Sequence, residues 1–347
     1  MRNSIQSIII SSLIILGILV LPVAGEAARA KYTLKIASLA PDGSVWTNHF
    51  RNFAKEVTEK SNGEIAFKIY PGGVMGDDRA MYRKMKIGQL HGGGFTMTGI
   101  SDIVPDFRVL GIPMLLNSYE EVDRLQEKLF PSFQKVFKEK GLELLAMTEV
   151  GFVYTMSANP IEDLDQMRSG KCWAPANDPV GLAFFKDMGI TPIQLTIPDV
   201  LPSLQTGMID TIFNSFYGSL VLQWFTKTKY ITNTPFLYAY GGVIFSKRMM
   251  DKMPPHYQEM VKQMAAKHFG KLLDDTRKSN AEALQAMKDH GIQVIEATDQ
   301  AVKELYGHKE QTVKQTIGKS YSKEIYDIVV NCLSEIRGFA KAENDNK

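Results

Sequence analysis

The residues able to do chemistry in this chain are few and scattered. Its two cysteines, Cys172 and Cys332, lie in an apolar strand pattern and on an apolar helix face. Buried free thiols suit those settings better than a disulfide or a nucleophile. The six histidines, His49, His91, His256, His268, His290 and His308, show no ligand spacing with one another or with cysteine, so no metal site is indicated. Catalysis would need a nucleophile with a base, a metal, or paired carboxylates in a cleft. Cys172 has no evident histidine partner, and neither a Gly-x-Ser-x-Gly elbow nor a phosphate loop occurs. The sequence points to a non-enzyme without a cofactor. What it does supply is polar and aromatic side chains at strand ends, which is how open α/β sheets build a ligand crevice.

Two stretches carry most of these side chains, PIEDLDQMRSGKCWAPAN from Pro160 and IPDVLPSLQTGMIDTIFNSFYG ending at Gly218. In the first, strand alternation turns Cys172 and Trp173 to opposite faces. Cys172 suits the interior, which leaves Trp173 facing the crevice. In the second, Asn214 ends an apolar strand, where it either contacts ligand or caps the next helix, and Tyr217 follows close behind. Thr96 and Thr98 alternate at the end of the His91–Met97 segment, as ligand contacts or as hydroxyls satisfying a loop. Trp46 stands near the end of the first strand, although its helical stripe suits core packing equally. Phe152 and Glu149 lie where the chain crosses between halves. Glu149 either faces the crevice, favouring a hydroxyl or cationic group, or holds the hinge.

The elements that must position these residues are legible around them. Lys31–Leu39 alternates as a strand. Trp46, Phe50, Phe53, Ala54 and Val57 then form one helical stripe. Glu64–Tyr70 returns as a strand, Asp77–Ile87 reads as a helix ending at Gly88, and His91–Met97 is a small-residue strand. This βαβαβ order calls for a largely parallel sheet. The run from Met85 through Gly88 to Thr96 is echoed by Leu204 through Gly207 to Ser215, once in each half, which suggests two similarly wound lobes. From Pro254 on, helical periodicity dominates. It is interrupted by a short strand at Ile292–Ile295, continues from Asp299, and ends in a long helix over Tyr321–Ala340. The tail Glu343–Lys347 is expected to lack structure.

The motifs YPGGVMGDDRAMYRKMKIGQLHGG, LGIPMLL, GFVYTMSANPIEDLDQMRSGKCWAP and PDVLPSLQTGMID resemble a known family. It is that of the solute-binding receptors of tripartite ATP-independent periplasmic (TRAP) transporters, the C4-dicarboxylate-receptor superfamily. The resemblance spans nearly the whole chain after the leader. It implies an α/β, two-lobed periplasmic-binding-protein-like fold with a hinge and a central ligand cleft. It also implies closure on a small molecule and delivery to TRAP membrane subunits. In two places the chain departs from the pattern. Where members carry an arginine that pairs with a substrate carboxylate, this chain has Trp173; where many carry a second, it has Val153. A guanidinium clamps a carboxylate bidentately, whereas an indole offers one N–H and a broad apolar face. Arg168, in the preceding helix, is the nearest basic substitute. The expected ligand is therefore neutral or apolar and aromatic, not a simple dicarboxylate. A receptor that presents its ligand to a membrane signalling protein is the alternative, with an enzyme on the same fold a distant third.

Compartment and boundaries complete the reading. A basic start at Arg2, the apolar run Ile8–Val20 and Ala28-Arg29-Ala30 form a secretory signal peptide over residues 1–30. The run is marginal for the roughly 20 residues a spanning helix needs. Export to the periplasm without stable membrane insertion follows. The formal net charge is +2, which gives no reason to expect nucleic acid as a partner. The remaining length exceeds one comfortable core. Lobe I is expected over 31–153 plus about 241–287, and lobe II over 154–240 plus about 288–347, including the terminal helix.

Overall fold

The computed structural model describes residues 30–345, and the signal-peptide reading of residues 1–30 lies almost wholly outside them. The chain opens with β1 (Tyr32–Ser38), α1 (Val45–Lys60), β2 (Ile65–Tyr70), α2 (Asp78–Lys86) and β3 (Gly92–Thr96). Then come α3 (Met97–Ile103), α4 (Tyr119–Glu139), β4 (Leu142–Ser157), α5 (Leu164–Ser169), β5 (Trp173–Pro175), α6 (Pro179–Asp187) and β6 (Ile193–Leu195). The middle of the chain continues through α7 (Ile197–Gln205), β7 (Thr211–Asn214), α8 (Phe216–Val221) and β8 (Tyr230–Ser246). It ends with α9 (Lys247–Met250), α10 (Pro255–Asp289), β9 (Gln293–Ile295), α11 (Asp299–Thr316) and α12 (Lys323–Asp345). The last helix runs through the start of the tail that was expected to lack structure.

Side-chain caps set where the cleft-facing helices begin. The side chains of Ser44, Asp77 and Thr96 accept from the backbone amides of Thr47, Ala80 and Gly99, starting α1, α2 and α3. Gly88 and Gly207 both adopt positive φ, +77° and +69°, after α2 and α7, so the repeated helix–glycine–strand segment has the same turn in each half.

The parallel sheet expected from the βαβαβ order holds only for the first half. β1 pairs in parallel with β2 and β3. From there the order β2-β1-β3-β8-β4-β7 continues through antiparallel pairs. The cause is two long strands, β4 of 16 residues and β8 of 17. They run through both halves in opposite directions and replace helical crossovers at the sheet's centre. Beside them, β5 and β6 form a separate two-stranded parallel sheet that carries Trp173.

Each half has its own core. Leu34, Ile36, Phe53, Phe245 and Phe269 pack in the first, and Phe184, Phe185, Phe213 and Phe236 in the second. Helix α10 spans the halves, giving Phe269 and Leu272 to the first core and Ala283 and Met287 to a further second-half cluster with Trp173 and Trp224. The terminal helix departs from the expected boundary. In α12, Ile325, Val329 and Leu333 pack with Leu125 and Phe133 of α4, and Arg337 bonds Glu121 and the Leu115 carbonyl. An apolar i, i+4 stripe returns it to the first lobe.

Candidate functional site

Between the halves lies a cleft of about 250 Å³, near the lower end of the roughly 300–1,000 Å³ typical of small-molecule sites. The first half contributes Trp46, the end of β1, the N-terminus of α2 and the segment Gly94–Gly99. The second contributes Trp173, Asn177, Asp178, Phe213, Asn214 and Trp224, and the floor comes from β4 and β8.

Trp173 faces this cleft, with Cys172 turned the other way into the second core. The indole is 4 % exposed. Its Nε1 donates to the Leu195 carbonyl at 3.1 Å, and its ring meets Trp224 edge-on with centroids 5.2 Å apart. It therefore offers the cleft an apolar ring and no free donor. Burial pushes the Cys172 thiol up to about 12, which leaves almost no thiolate at neutral pH. Arg168 is turned away, bonded to Asp165 and the Met188 carbonyl.

Asn214 lines the cleft with its Oδ1 accepting from Ser215 N, and its Nδ2 has no partner among the described residues. Thr96 and Thr98 both line it, but they differ in what is left to offer. The Thr96 hydroxyl bonds Asp78 at 2.6 Å and caps α3, whereas Thr98 Oγ1 has no partner among the described residues. Trp46 lines the hinge side, its Nε1 donating to the Glu149 carbonyl at 3.0 Å.

Glu149 borders the cleft, with its carboxylate engaged in a buried ion pair. Its side chain is fully buried and accepts from Arg277 Nε and Nη2 and from the Tyr238 hydroxyl. Burial pushes its carboxyl up, against the pull of Arg277 and Tyr238. Arg277 in turn holds Asp123 and stacks 4.3 Å above the Tyr119 ring.

Two expected contacts stand elsewhere. Phe152 is absent from the cleft lining; its ring sits 5.2 Å from Tyr119 and 5.0 Å from Tyr238, in the cluster that includes Leu125 and Phe133. Its neighbour Val153 faces the cleft instead, and adjacent strand residues take opposite faces. Tyr217 also lies outside the lining, its ring against Trp46 and its hydroxyl accepting from Val45 N at 2.8 Å.

The sequence reading missed the charged rim. Arg79 is the one basic residue lining the cleft among the described residues. Its Nε bonds Asp102, while its terminal nitrogens have no partner among the described residues. The nearby carboxylates are engaged. Asp77 caps α2, Asp178 caps α6, and Asp102 pairs with both Arg79 and Arg108. Asp78 accepts from Thr96 N and Oγ1, and burial pushes it up to about 6. Thr148 and Asn177 add polar side chains without partners among the described residues. The signal for Arg79 was available, because a helix that follows β2 starts where the sheet's ligand edge ends. No group of three or more His, Cys, Asp or Glu able to hold a metal occurs among the described residues.

The comparisons with known proteins agree with this geometry. The model of the DctP family, bacterial extracellular solute-binding protein family 7, matches residues 36–320. The sialic acid-binding periplasmic protein SiaP of Vibrio cholerae is 23 % identical over 300 residues, covering 85 % of this chain and 93 % of that protein. The 2,3-diketo-L-gulonate-binding periplasmic protein YiaO of Escherichia coli is 24 % identical, covering 72 % of this chain and 76 % of that one. In structure, the chain is similar to the sugar acid binding protein DctPAm of Advenella mimigardefordensis, solved with galactonate. The TM-score is 0.83 at 20 % identity, covering 88 % of this chain and 99 % of that one. The chain belongs to the bacterial extracellular solute-binding protein family 7, as a two-lobed periplasmic receptor of the TRAP type.

Proposed function

We propose that the exported chain captures a small neutral, apolar or aromatic molecule by lobe closure. It hands this molecule unchanged to TRAP membrane subunits. One observation carries the ligand class. By the motif resemblance Trp173 takes the place of a carboxylate-binding arginine, and its only donor is bonded to Leu195. Beside the aromatic walls and a charged rim whose carboxylates are engaged, the lining offers the uncharged polar groups Thr98, Thr148, Asn177 and Asn214. Such a set fits a ring with a few hydroxyl or carbonyl substituents. The lobes are taken as 31–153 plus about 241–287 and 154–240 plus about 288–322, with α12 returned to the first.

A second reading has a specific observation behind it. The terminal nitrogens of Arg79, without partners among the described residues, would donate to a carboxylate, and the relatives' ligands are acids. Thermal shift across neutral aromatic compounds, galactonate, glucuronate, sialic acid and succinate separates the two. The proposal expects stabilisation by neutral rings, about 2.7 kcal/mol at a hundredfold excess over Kd, with little response to the acids. Stabilisation by a sugar acid that survives Trp173→Ala and is lost in Arg79→Ala would replace it with the second reading.

A further inference from the structure

Beside the cleft, four hydrogen bonds close a circuit through both lobes and the hinge. Val45 N at the start of α1 donates to the Tyr217 hydroxyl at 2.8 Å, and Tyr217 N donates to Asn280 Oδ1 at 3.0 Å. Asn280 Nδ2 donates to the Val150 carbonyl at 3.0 Å, and Trp46 Nε1 returns to the neighbouring Glu149 carbonyl at 3.0 Å. The circuit therefore visits the first lobe, the second lobe, the spine helix α10 and the crossover strand β4. The crossover is where the backbone bends. The β4–β8 register slips between Glu149 and Gly151, and Gly151 has φ +109°. A Cβ on Gly151 would lie 2.7 Å from Asn280 Nδ2, so hinge and spine are in direct contact.

Asn280 belongs to the spine helix, whose Ala283 and Met287 pack with the second lobe, so among these four bonds the one from Val45 N to Tyr217 ties α1 directly to the second lobe. Val45 is the first residue of α1, and its amide belongs to the set that no helix carbonyl can satisfy. The Tyr217 hydroxyl satisfies it from the other lobe, with the Trp46 and Tyr217 rings packed at 5.0 Å. We propose that Tyr217 is a closure latch: a positioning residue that holds the lobes together by accepting from Val45 N, and not a ligand contact. When the lobes part, water takes over the Val45 amide, and the circuit is cut at that one bond.

The test uses the two-lobed closure of the receptor reading but no ligand, so it can fail independently of the ligand class. Spin labels at the exposed positions Lys68 and Lys186, in a Cys332→Ser background, report the interlobe distance. Tyr217→Phe removes only the acceptor. Val45→Pro removes only the donor, at a first helical position that suits proline and after a Ser44 already extended at ψ 158°. The ligand-free protein is expected to show a compact distance component matching this structure. Each variant should cut its weight relative to the open component about threefold to tenfold, and the double variant should do no more than either single. A merely structural contact would lower the unfolding midpoint and leave that ratio alone. An unchanged ratio in either variant, additive losses in the double, or no compact component in the parent would overturn the latch.

Discussion

The two walls of the cleft are built from opposite chemistry. The first lobe presents a charged and hydroxylated edge, Asp77, Asp78, Arg79, Thr96 and Thr98. The second presents rings, with Trp173 against Trp224 at 5.2 Å and Phe213 against Phe236 at 4.6 Å. On the charged wall almost every group already has a partner in a cap or an ion pair; on the aromatic wall the amides of Asn177 and Asn214 have open groups among the described residues. On the proposed reading, a ligand bound here is held by ring contact on one side and by a few uncharged hydrogen bonds on the other. Charge in this cleft organises the protein first.

The largest test of that contrast is on the aromatic wall. Trp173→Ala should cost about 3–5 kcal/mol of folding stability and abolish ligand-induced stabilisation, as read by urea unfolding and thermal shift. Intact binding in a folded Trp173→Ala protein would show that the ring is only core. At the hinge, Glu149→Gln leaves Arg277 with Asp123 as its one remaining carboxylate. We expect a loss of about 3 kcal/mol in urea unfolding.

The charged wall gives a pH signature. Asp78 is half-buried at the cleft edge, and desolvation pushes its carboxyl up to about 6 in the folded state, above its unfolded value. Between about pH 4 and 6 the folded state therefore holds a proton that the unfolded state has released. Stability falls with rising pH across that window and levels off above it. Asp78→Asn keeps an acceptor for Thr96 N and removes the titration. Relative to the parent it should gain stability from pH 4 to 6, on the order of 3 kcal/mol in total, in urea unfolding at stepped pH. A pH-independent difference would remove Asp78 from the account. The smallest effect is expected at Asn214→Ala, about fivefold weaker ligand binding from one lost hydrogen bond.

How far the sequence could be read follows from the same contrast. The α1 stripe, the glycine-ended repeats and the outward turn of Trp173 were visible because each depends on local periodicity. The antiparallel centre of the sheet was not, since nothing local says that β4 and β8 run the length of both lobes. Nor does the α12 stripe say which lobe it returns to. At the site, strand alternation alone could not place Phe152. Glu149 and Phe152 both reach Tyr238, an odd separation that unbroken alternation forbids. The register slip between Glu149 and Gly151 resets it. The cleft position of Arg79 was signalled by its place at the start of the helix after β2, whereas the engagement of each carboxylate required three-dimensional neighbours.

The most direct test compares ligands that differ only in charge. Thermal shift of the purified receptor with matched aromatic amides and carboxylates, alongside galactonate and glucuronate, isolates the role of residue 173. The account predicts that the amide of each responding pair stabilises more than its acid, and that the sugar acids do not stabilise. Stronger stabilisation by the acids, lost in Arg79→Ala, would contradict it.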